Sequence, residues 1–413
     1  MESMNDDTRV VAIGYLEETE SWKLGSRFFP SKVGGKPAWL DLANLPSNED
    51  LKCPKCQNPC MFLCQVYAPW IDLESCFHRT IFIFLCVDAD CCEENENRTF
   101  KVFRCQFGRR NDFFPFDPPI DDENWRPDLK ADSYNKLCIV CGAKGTSHCG
   151  RCKKVNYCSR QHQIVDWKTG HKEMCRSGIM KPESKSMRCL WLLPEFELVT
   201  GREDEESEEE ASCSSGNCSS NEDEEEDSEE AEKKRLEEFR DLVKQGKAGT
   251  FQGNNLVDDE LLQMAAQDED KVFVRFRSKV AKFPQQVLRY ERGGRPLWLT
   301  SDNIPATNDI PPCPYCKAPR QFELQVMPQM LNYLALDGVS KSVDWGVLAV
   351  YTCQNSCNTG PAYKQEFLWK QDIHKPTTDG NCNNTKPATT TTTTTAVAAA
   401  HAAATKLSSA TDN

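Results

Sequence analysis

The hydrophobic pattern of this chain consists mainly of short apolar runs of the kind that form β-strands. Two series of such runs are present, one of them at 62–67 and 81–85 and the other at 322–326 and 347–351. The first run of each series alternates apolar and polar residues and is rich in β-forming types. Helical spacing is limited to a central cysteine-rich segment and to about 233–244 and 257–267. The pattern predicts an α+β fold that is predominantly β.

An internal repeat spans most of the chain. The sequence GGKPAWL at 34–40 is matched by GGRPLWL at 293–299, and a Cys-Pro-x-Cys motif follows each copy, beginning at Cys53 and Cys313. Similarity of this length and order predicts a duplicated domain. The simplest architecture is two similar β-rich domains that face each other across a shared groove, with a cysteine-rich module inserted between them. The predicted boundaries are 10–115 and 271–372 for the two repeats and 138–175 for the inserted module.

The net charge of −13 over 413 residues is concentrated in one segment, because residues 203–232 contain 16 Asp or Glu and no Lys or Arg. Like charges repel and this segment has little apolar surface to bury, so we predict an acidic disordered linker there. A low-complexity, disordered tail rich in Thr and Ala is predicted at 377–413. The remaining residues are close to neutral, and we expect no direct binding to DNA.

The chain shows no signal-peptide pattern, and its longest apolar run, at 81–87, is too short to cross a bilayer. We therefore expect a soluble intracellular protein without membrane contact. Thiols stay reduced inside cells, so clustered cysteines among the 23 in the chain are expected to bind metal and not to form disulfides.

Eight residues with zinc-ligand chemistry fall within 38 positions at the centre of the chain. Four Cys or His side chains close one tetrahedral zinc site, so eight predict two. A closed site has no coordination position for water, so the metal stabilises the fold and does not catalyse a reaction. The predicted ligands are Cys138, Cys141, Cys149, Cys152, Cys158, His162, His171 and Cys175. Ser159 is expected to cap a helix that continues from Arg160 to about Met174.

The repeats contain a second set of cysteines that could close up to two further zinc sites. The alternative is that these are buried, reduced thiols. Cys60 and Cys64 align with Arg320 and Leu324 in the other repeat, so neither is expected to be a ligand. The candidate ligands are Cys53, Cys56, Cys86 and Cys91 (or Cys92) in the first repeat and Cys313, Cys316, Cys353 and Cys357 in the second.

Other motifs favour structural roles. The Gly-Gly-Lys/Arg-Pro sequence is typical of a turn, because neither Gly-Lys-Ser/Thr nor a helix follows it. Trp39 and Trp298 are expected in the core, and His148 is expected to face solvent. No Ser/His/Asp or Cys/His catalytic set is evident outside the cysteine clusters, so we expect a protein that is not an enzyme.

The stretch 138–175 resembles a MYND-type zinc finger through Tyr157-Cys158-Ser159, His162-Gln163, Asp166-Trp167 and His171. The resemblance implies interleaved ligation, and His162 stands where that family has cysteine. MYND fingers bind proteins, often short proline-containing peptides, which makes Gln163 and Trp167 candidates for a binding surface. The alternative for Trp167 is packing against the zinc ligands. The implied ligand sets are Cys138, Cys141, Cys158 and His162 for one zinc and Cys149, Cys152, His171 and Cys175 for the other.

The order of repeat, finger, acidic linker and repeat resembles the programmed cell death protein 2 family, as do the stretches 29–40 and 286–290. This resemblance implies a chaperone, in cytoplasm and nucleus, that captures a newly made small-subunit ribosomal protein and supports 40S assembly. The acidic linker would screen the positive charge of such a client. An alternative is a nuclear MYND adaptor that recruits transcription or chromatin proteins in control of proliferation or cell death. A third is an enzyme with an open metal position between the repeats.

Overall fold

The computed structural model describes residues 10–177, 191–203, 270–334 and 343–372. The acidic linker beyond Glu203, the predicted helices at 233–244 and 257–267, and the tail at 377–413 lie outside the described residues. In the part of the chain that is described, no helix is long and apolar enough to cross a membrane.

Strands predominate among the regular elements, as the sequence predicted. The first repeat contains β1 (Ala12–Glu17), β2 (Lys32–Val33), β3 (Met61–Tyr67), β4 (His78–Leu85) and β5 (Phe100–Phe107). The finger contains β6 (Ser147–His148), β7 (Asn156–Tyr157), α1 (Arg160–Asp166) and α2 (Lys172–Ser177), and β8 (Phe196–Arg202) follows it. The second repeat contains α3 (Lys271–Lys282), β9 (Leu288–Tyr290), β10 (Arg320–Val326), β11 (Val347–Cys353), β12 (Lys364–Gln365) and β13 (Phe367–Gln371).

The strands of both repeats belong to a single antiparallel sheet of eleven strands, in the order β12-β5-β4-β3-β2-β8-β1-β9-β10-β11-β13. The segment 364–371, here called the closing segment, pairs with β5 through β12 and with β11 through β13. It therefore joins the two ends of the sheet. This arrangement differs from the expected one, in which two domains face each other across a groove.

The two repeats exchange a strand at the middle of the sheet. β1 precedes the first repeat's Gly-Gly turn in sequence, but it pairs with β9 of the second repeat. β8, which follows the finger, pairs with β2 of the first repeat. β1 and β8 also pair with each other, from Ala12 opposite Arg202 to Glu17 opposite Glu197. Each half of the sheet is thus completed by a strand from a distant part of the chain.

Equivalent details recur in the two halves. The pairing register shifts between Phe62 and Cys64 in β3 and between Phe322 and Leu324 at the matching position of β10. The Gly-Gly motif forms a turn, as predicted. Gly34 has a φ of +67°, and an added Cβ there would overlap the carbonyl oxygen of Pro194. Only glycine satisfies both conditions without strain.

Side chains from both repeats share one hydrophobic core, which packs the two repeats against each other. Ile81 and Ile83 on β4 pack in the same cluster as Leu348 and Val350 on β11. The intervening Phe82 on β4 belongs to a second cluster that includes residues of the finger. Because β4 is buried on both faces, it reads as a continuous apolar run. A third cluster packs Phe276 of α3 against the outer face of the second repeat.

Candidate metal centres

The helical part of the finger begins where the sequence predicted, but it does not continue as the single helix that was predicted. The Ser159 side chain accepts a hydrogen bond from the backbone N–H of His162 at the start of α1. The helix does not continue to Met174, because Gly170 has a φ of 149° within a π-helical segment at Trp167–His171. The kink orients α2 so that His171 and Cys175 are both buried in the same cluster.

The structure brings the eight predicted ligands of the finger together in the two interleaved sets that the resemblance implied. In the first set, the sulfurs of Cys141 and Cys158 are 3.6 Å apart, and His162 turns Nδ1 toward Cys138 at 3.6 Å. In the second, the sulfurs of Cys149 and Cys175 are 3.9 Å apart. The ligand atoms of each set lie within 4.8 Å of one another.

These separations fit a tetrahedral zinc ion. Zn–S bonds of about 2.3 Å place two thiolates of a tetrahedron roughly 3.8 Å apart. A disulfide would require about 2.05 Å, and all the cysteines in the four clusters are free thiols. The donor set of three sulfurs and one imidazole in each cluster of the finger suits zinc and fills its four tetrahedral positions.

The surroundings favour one thiolate in each cluster of the finger, and the thiolate is the form of cysteine that binds metal. Hydrogen bonds from the Cys141 and Cys158 thiols hold the pKa of Cys138 far below its usual range. Burial raises the pKa of Cys149, but the backbone N–H of Cys152 and the His171 side chain outweigh it and lower this pKa to about 6. The finger therefore has anionic sulfur in both of its clusters.

The ring nitrogen of His171 that does not face the cluster is buried and has no hydrogen-bond partner among the described residues. Its Nε2 lies 3.5 Å from the Cys152 sulfur, while its Nδ1 lies 4.0 Å from a carboxylate oxygen of Asp166. The Tyr157 hydroxyl donates a hydrogen bond of 2.7 Å to the same carboxylate. At 4.0 Å this carboxylate is too far away to accept a hydrogen bond from the ring, so its effect on His171 is electrostatic.

The repeats carry two further clusters, which join Cys53, Cys56, Cys86 and Cys91 in one half and Cys313, Cys316, Cys353 and Cys357 in the other. Sulfur pairs within them are 3.5 to 3.7 Å apart. The sequence left open whether Cys91 or Cys92 is the fourth member of the first repeat's cluster. In the structure it is Cys91, because the Cys92 thiol donates instead to the backbone oxygens of Cys86 and Asp88.

All four Cys-x-x-Cys motifs form the same turn. The residue after the second cysteine has a positive φ, and its backbone N–H donates to the carbonyl oxygen of the first cysteine at 2.9 or 3.0 Å. This geometry points both sulfurs of a motif in one direction. The residues at this position are Gln57, Gly142, Lys153 and Lys317. The clusters of the finger and of the repeats therefore contain the same type of Cys-x-x-Cys turn.

Three described cysteines outside the clusters, Cys60, Cys64 and Cys105, are buried thiols. Burial raises the pKa of Cys60 and of Cys105 to about 12, and it raises the pKa of Cys64 further. Cys60 and Cys64 lie outside the four clusters, and that neither of them binds metal stays a prediction. His148 is exposed, also as expected.

The two predicted binding residues of the finger differ in what they offer a partner. Trp167 is half-buried and packs against His171, with ring centroids 5.8 Å apart, so it supports the second cluster. Gln163 is half-buried on α1. The neighbouring Ile164 is 43% exposed. The sequence analysis missed Ile164, although an apolar residue on the solvent side of a short helix is a signal that could have identified it.

The finger rests on the first repeat through Trp39. This tryptophan is 1% exposed, and its indole N–H donates a hydrogen bond of 2.9 Å to the carbonyl oxygen of Gly142 in the first metal-binding turn. Tyr363 of the second repeat packs edge-on against the same ring at 5.2 Å. Trp39 thus connects both repeats and the finger, as a core residue.

Comparison with known proteins agrees with this organisation. Three family models match, described as "Programmed cell death protein 2, N-terminal domain" at 10–121, "MYND finger" at 138–175, and "Programmed cell death protein 2, C-terminal putative domain" at 270–372. No solved structure matches.

Several relatives share sequence with the chain. Programmed cell death protein 2 of Mus musculus is 41% identical over 372 residues, which cover 88% of this chain and 96% of that protein. The protein of the same name from Bos taurus is 40% identical over 373 residues, covering 87% and 96%. "Probable 20S rRNA accumulation protein 4" of Schizosaccharomyces pombe is 36% identical over 99 residues, covering 22% and 24%. From these matches, the chain belongs to the programmed cell death protein 2 family.

Proposed function

We propose that this protein is a non-enzymatic, zinc-stabilised chaperone that captures a newly made basic ribosomal protein of the small subunit and supports 40S assembly in cytoplasm and nucleus. The observation that carries the proposal is membership of a family with a yeast relative whose name refers to 20S rRNA accumulation. The MYND finger adds support, because such fingers mediate contacts between proteins.

The proposal includes four zinc ions per chain, each with a structural role. Each cluster already supplies four protein ligands, and this number fills a tetrahedral zinc ion. A saturated metal stabilises the surrounding fold and leaves no position at which a substrate could bind to it. The chemistry of the protein would then lie in recognition.

Acidic surface suits a basic client. The segment 203–232 supplies negative charge that would speed association with a positively charged partner. The described residues add a smaller surface at 116–123, where Phe116 is 46% and Ile120 is 63% exposed. Asp117 and Asp121 are exposed beside them. Ile120 and these two carboxylates would accommodate a client segment that is basic and partly unfolded, whereas the Phe116 ring already faces the guanidinium groups of Arg109 and Arg110.

Affinity purification of the tagged full-length chain from cells, at low and moderate salt, tests the proposal. We expect one basic small-subunit ribosomal protein in stoichiometric amount, and a lower yield from a Phe116→Ala/Ile120→Ala variant. Ile304→Ala is the matched control, because Ile304 is 41% exposed but lies in the other repeat. Recovery of no ribosomal protein at stoichiometric levels would contradict the proposal.

A second candidate is a nuclear adaptor that acts through the finger, and the exposure of Ile164 beside Gln163 favours it. Ile164→Ala is the better probe than Trp167→Ala, because Trp167 supports a metal cluster. If Ile164→Ala abolishes the main partnership while Phe116→Ala/Ile120→Ala leaves it intact, the adaptor function is favoured over the chaperone.

A further inference from the structure

Two side chains on β5 of the first repeat hold the metal-binding loop of the second repeat. The Gln106 amide donates hydrogen bonds of 2.7 Å to the carbonyl oxygen of Ser356 and 2.6 Å to the side-chain oxygen of Asn358. The Arg104 guanidinium donates one of 3.3 Å to the carbonyl oxygen of the ligand Cys357. Arg104 is fully buried and Gln106 is 6% exposed, so water does not replace these bonds readily.

Arg104 also reaches the other ligand of that loop through Glu366. Its Nε donates a hydrogen bond of 2.8 Å to one carboxylate oxygen of Glu366. The second carboxylate oxygen accepts the backbone N–H of Cys353 at 3.1 Å. Both side chains of this ion pair are fully buried. The backbones of both ligands in the loop are therefore held by a network that begins on the first repeat.

The reverse contact is made by the closing segment of the second repeat. Lys370 donates from its backbone N–H to the side-chain oxygen of Asn97 at 2.6 Å and from its ammonium to the carbonyl oxygen of Glu93 at 3.3 Å. Asp372 and Asn95 exchange two hydrogen bonds of 2.8 and 2.7 Å, each from a backbone N–H to the other's side chain. Glu93, Asn95 and Asn97 lie in the loop that carries the ligands Cys86 and Cys91.

The residues that make these crossed contacts occupy equivalent positions. Arg104 lies opposite Ile81 in the β4–β5 pair, and Lys370 lies opposite Leu348 in the β11–β13 pair. Ile81 and Leu348 each precede the first cysteine of their loop by five residues. Gln106 and Asp372 then lie two positions further along. The duplication has therefore produced equivalent contacts in both directions, from the first repeat to the second repeat's loop and from the second repeat to the first repeat's loop.

We propose that each repeat's metal cluster is held in place by the other repeat's last strand, so that loading of the two clusters is coupled. The proposal rests on the zinc assignment made for the repeats above. Loss of metal from one cluster would release its loop, and buried donors on the opposite strand would then lack acceptors. That strand also pairs with the strand that leads into its own repeat's cluster, which is β4 before Cys86 or β11 up to Cys353, so release at one cluster weakens the other.

The magnitude follows from outer-shell contacts at known metal sites, whose removal lowers metal affinity by roughly 10- to 100-fold. Gln106→Leu removes two bonds to the second repeat's loop and keeps the side chain's volume. Lys370→Met removes the ammonium contact to the first repeat's loop. Arg98→Met is the control, because the Arg98 side chain is 73% exposed and forms an ion pair with the nearby Glu96.

Cadmium-113 NMR of the full-length chain, loaded with cadmium, resolves one resonance per cluster. Cys56→Ser and Cys316→Ser assign the resonances of the two repeats. After addition of a chelator, we expect Gln106→Leu to speed loss of the second repeat's resonance at least about tenfold and Lys370→Met to speed loss of the first repeat's, with Arg98→Met unchanged. The crossed arrangement would be overturned if each substitution sped the loss of metal from the repeat that carries it. It would also be overturned if neither substitution changed the rate of loss.

Coupling has a separate readout in the same experiment. Cys316→Ser should speed the loss of metal from the first repeat, and Cys56→Ser should do the same for the second. Unchanged release in both would overturn coupling while leaving zinc binding intact. If neither Cys→Ser variant removes a resonance, the zinc assignment of the repeats itself fails, and the present proposal fails with it.

Discussion

Arg79 on β4 of the first repeat and Glu323 on β10 of the second form an ion pair in which both side chains are fully buried. One of the two hydrogen bonds in the pair, from Nη2 of Arg79 to Oε2 of Glu323, is 2.7 Å long. The hydroxyl of Tyr290 donates a bond of 3.0 Å to the same carboxylate. Glu323 lies in the bulge of β10, so the irregularity that the two halves share places this charge inside the protein.

Glu323→Leu should destabilise the fold strongly, because it leaves the Arg79 charge buried without a partner. Removing one member of a buried pair costs about 3–5 kcal/mol of unfolding free energy. Urea unfolding followed by circular dichroism measures the change. Glu49→Gln serves as control, since its side chain is 76% exposed and its pair with Lys52 should contribute at most about 1 kcal/mol. Equal losses in the two variants would contradict a structural role for the buried pair.

Stability should depend on pH through His78. Burial and, to a smaller extent, the charge of Arg109 lower the pKa of this imidazole to about 4. The unfolded chain has a histidine pKa of about 6.5, so between these values the unfolded state binds more protons. Stability is therefore complete above about pH 6.5 and falls as the pH drops toward 4. Chemical denaturation between about pH 4 and 6.5 measures the unfolding free energy at each pH. We expect this free energy to change less steeply with pH in His78→Phe than in the unsubstituted protein. An identical slope would exclude His78 as the group responsible.

Trp39→Phe should loosen the finger from the first repeat. The substitution removes the hydrogen bond to Gly142 and part of the packing in a fully buried site. We expect a loss of about 2–3 kcal/mol and faster proteolysis within 138–175. Trp298→Phe is the matched control at the equivalent repeat position, where the ring is half-buried and its cluster contains no finger residue. The prediction fails if both variants are cleaved in the finger at the same rate.

Cys149→Ala should unfold the finger locally. A structural zinc ion contributes on the order of 10–16 kcal/mol to a small finger at neutral pH. Zinc content should fall by one ion, and limited proteolysis should cut within 138–175 while the eleven-stranded sheet stays protected. Cys64→Ala, which alters a buried thiol outside the clusters, should leave the zinc content unchanged. Wild-type protease resistance of the finger in Cys149→Ala would argue against the ligand assignment.

The sequence predicted those features that depend on local chemistry. Each Cys-x-x-Cys turn is specified by four or five consecutive residues, and the repeat alignment excluded Cys60 and Cys64. The β-rich character followed from runs such as 81–85. These signals are local, so they survive without knowledge of the tertiary structure.

Features that depend on distant pairing could not be predicted in this way. β1 and β8 fall outside the motifs that the two repeats share, so nothing local indicates that they exchange places. The shared core also depends on tertiary packing, because Ile81 and Leu348 each suit the core of a separate domain equally well. The kink at Gly170 was missed because the ligand spacing of His171 and Cys175 is itself helical.

Metal analysis of the purified full-length chain tests the central claim, that cysteine and histidine clusters stabilise the fold structurally. We predict about four zinc ions per chain, measured by inductively coupled plasma mass spectrometry. We also predict loss of folded structure when a strong chelator removes them. Two ions would restrict the claim to the finger. A chain without metal that keeps its circular dichroism spectrum and its cooperative thermal transition would contradict the claim.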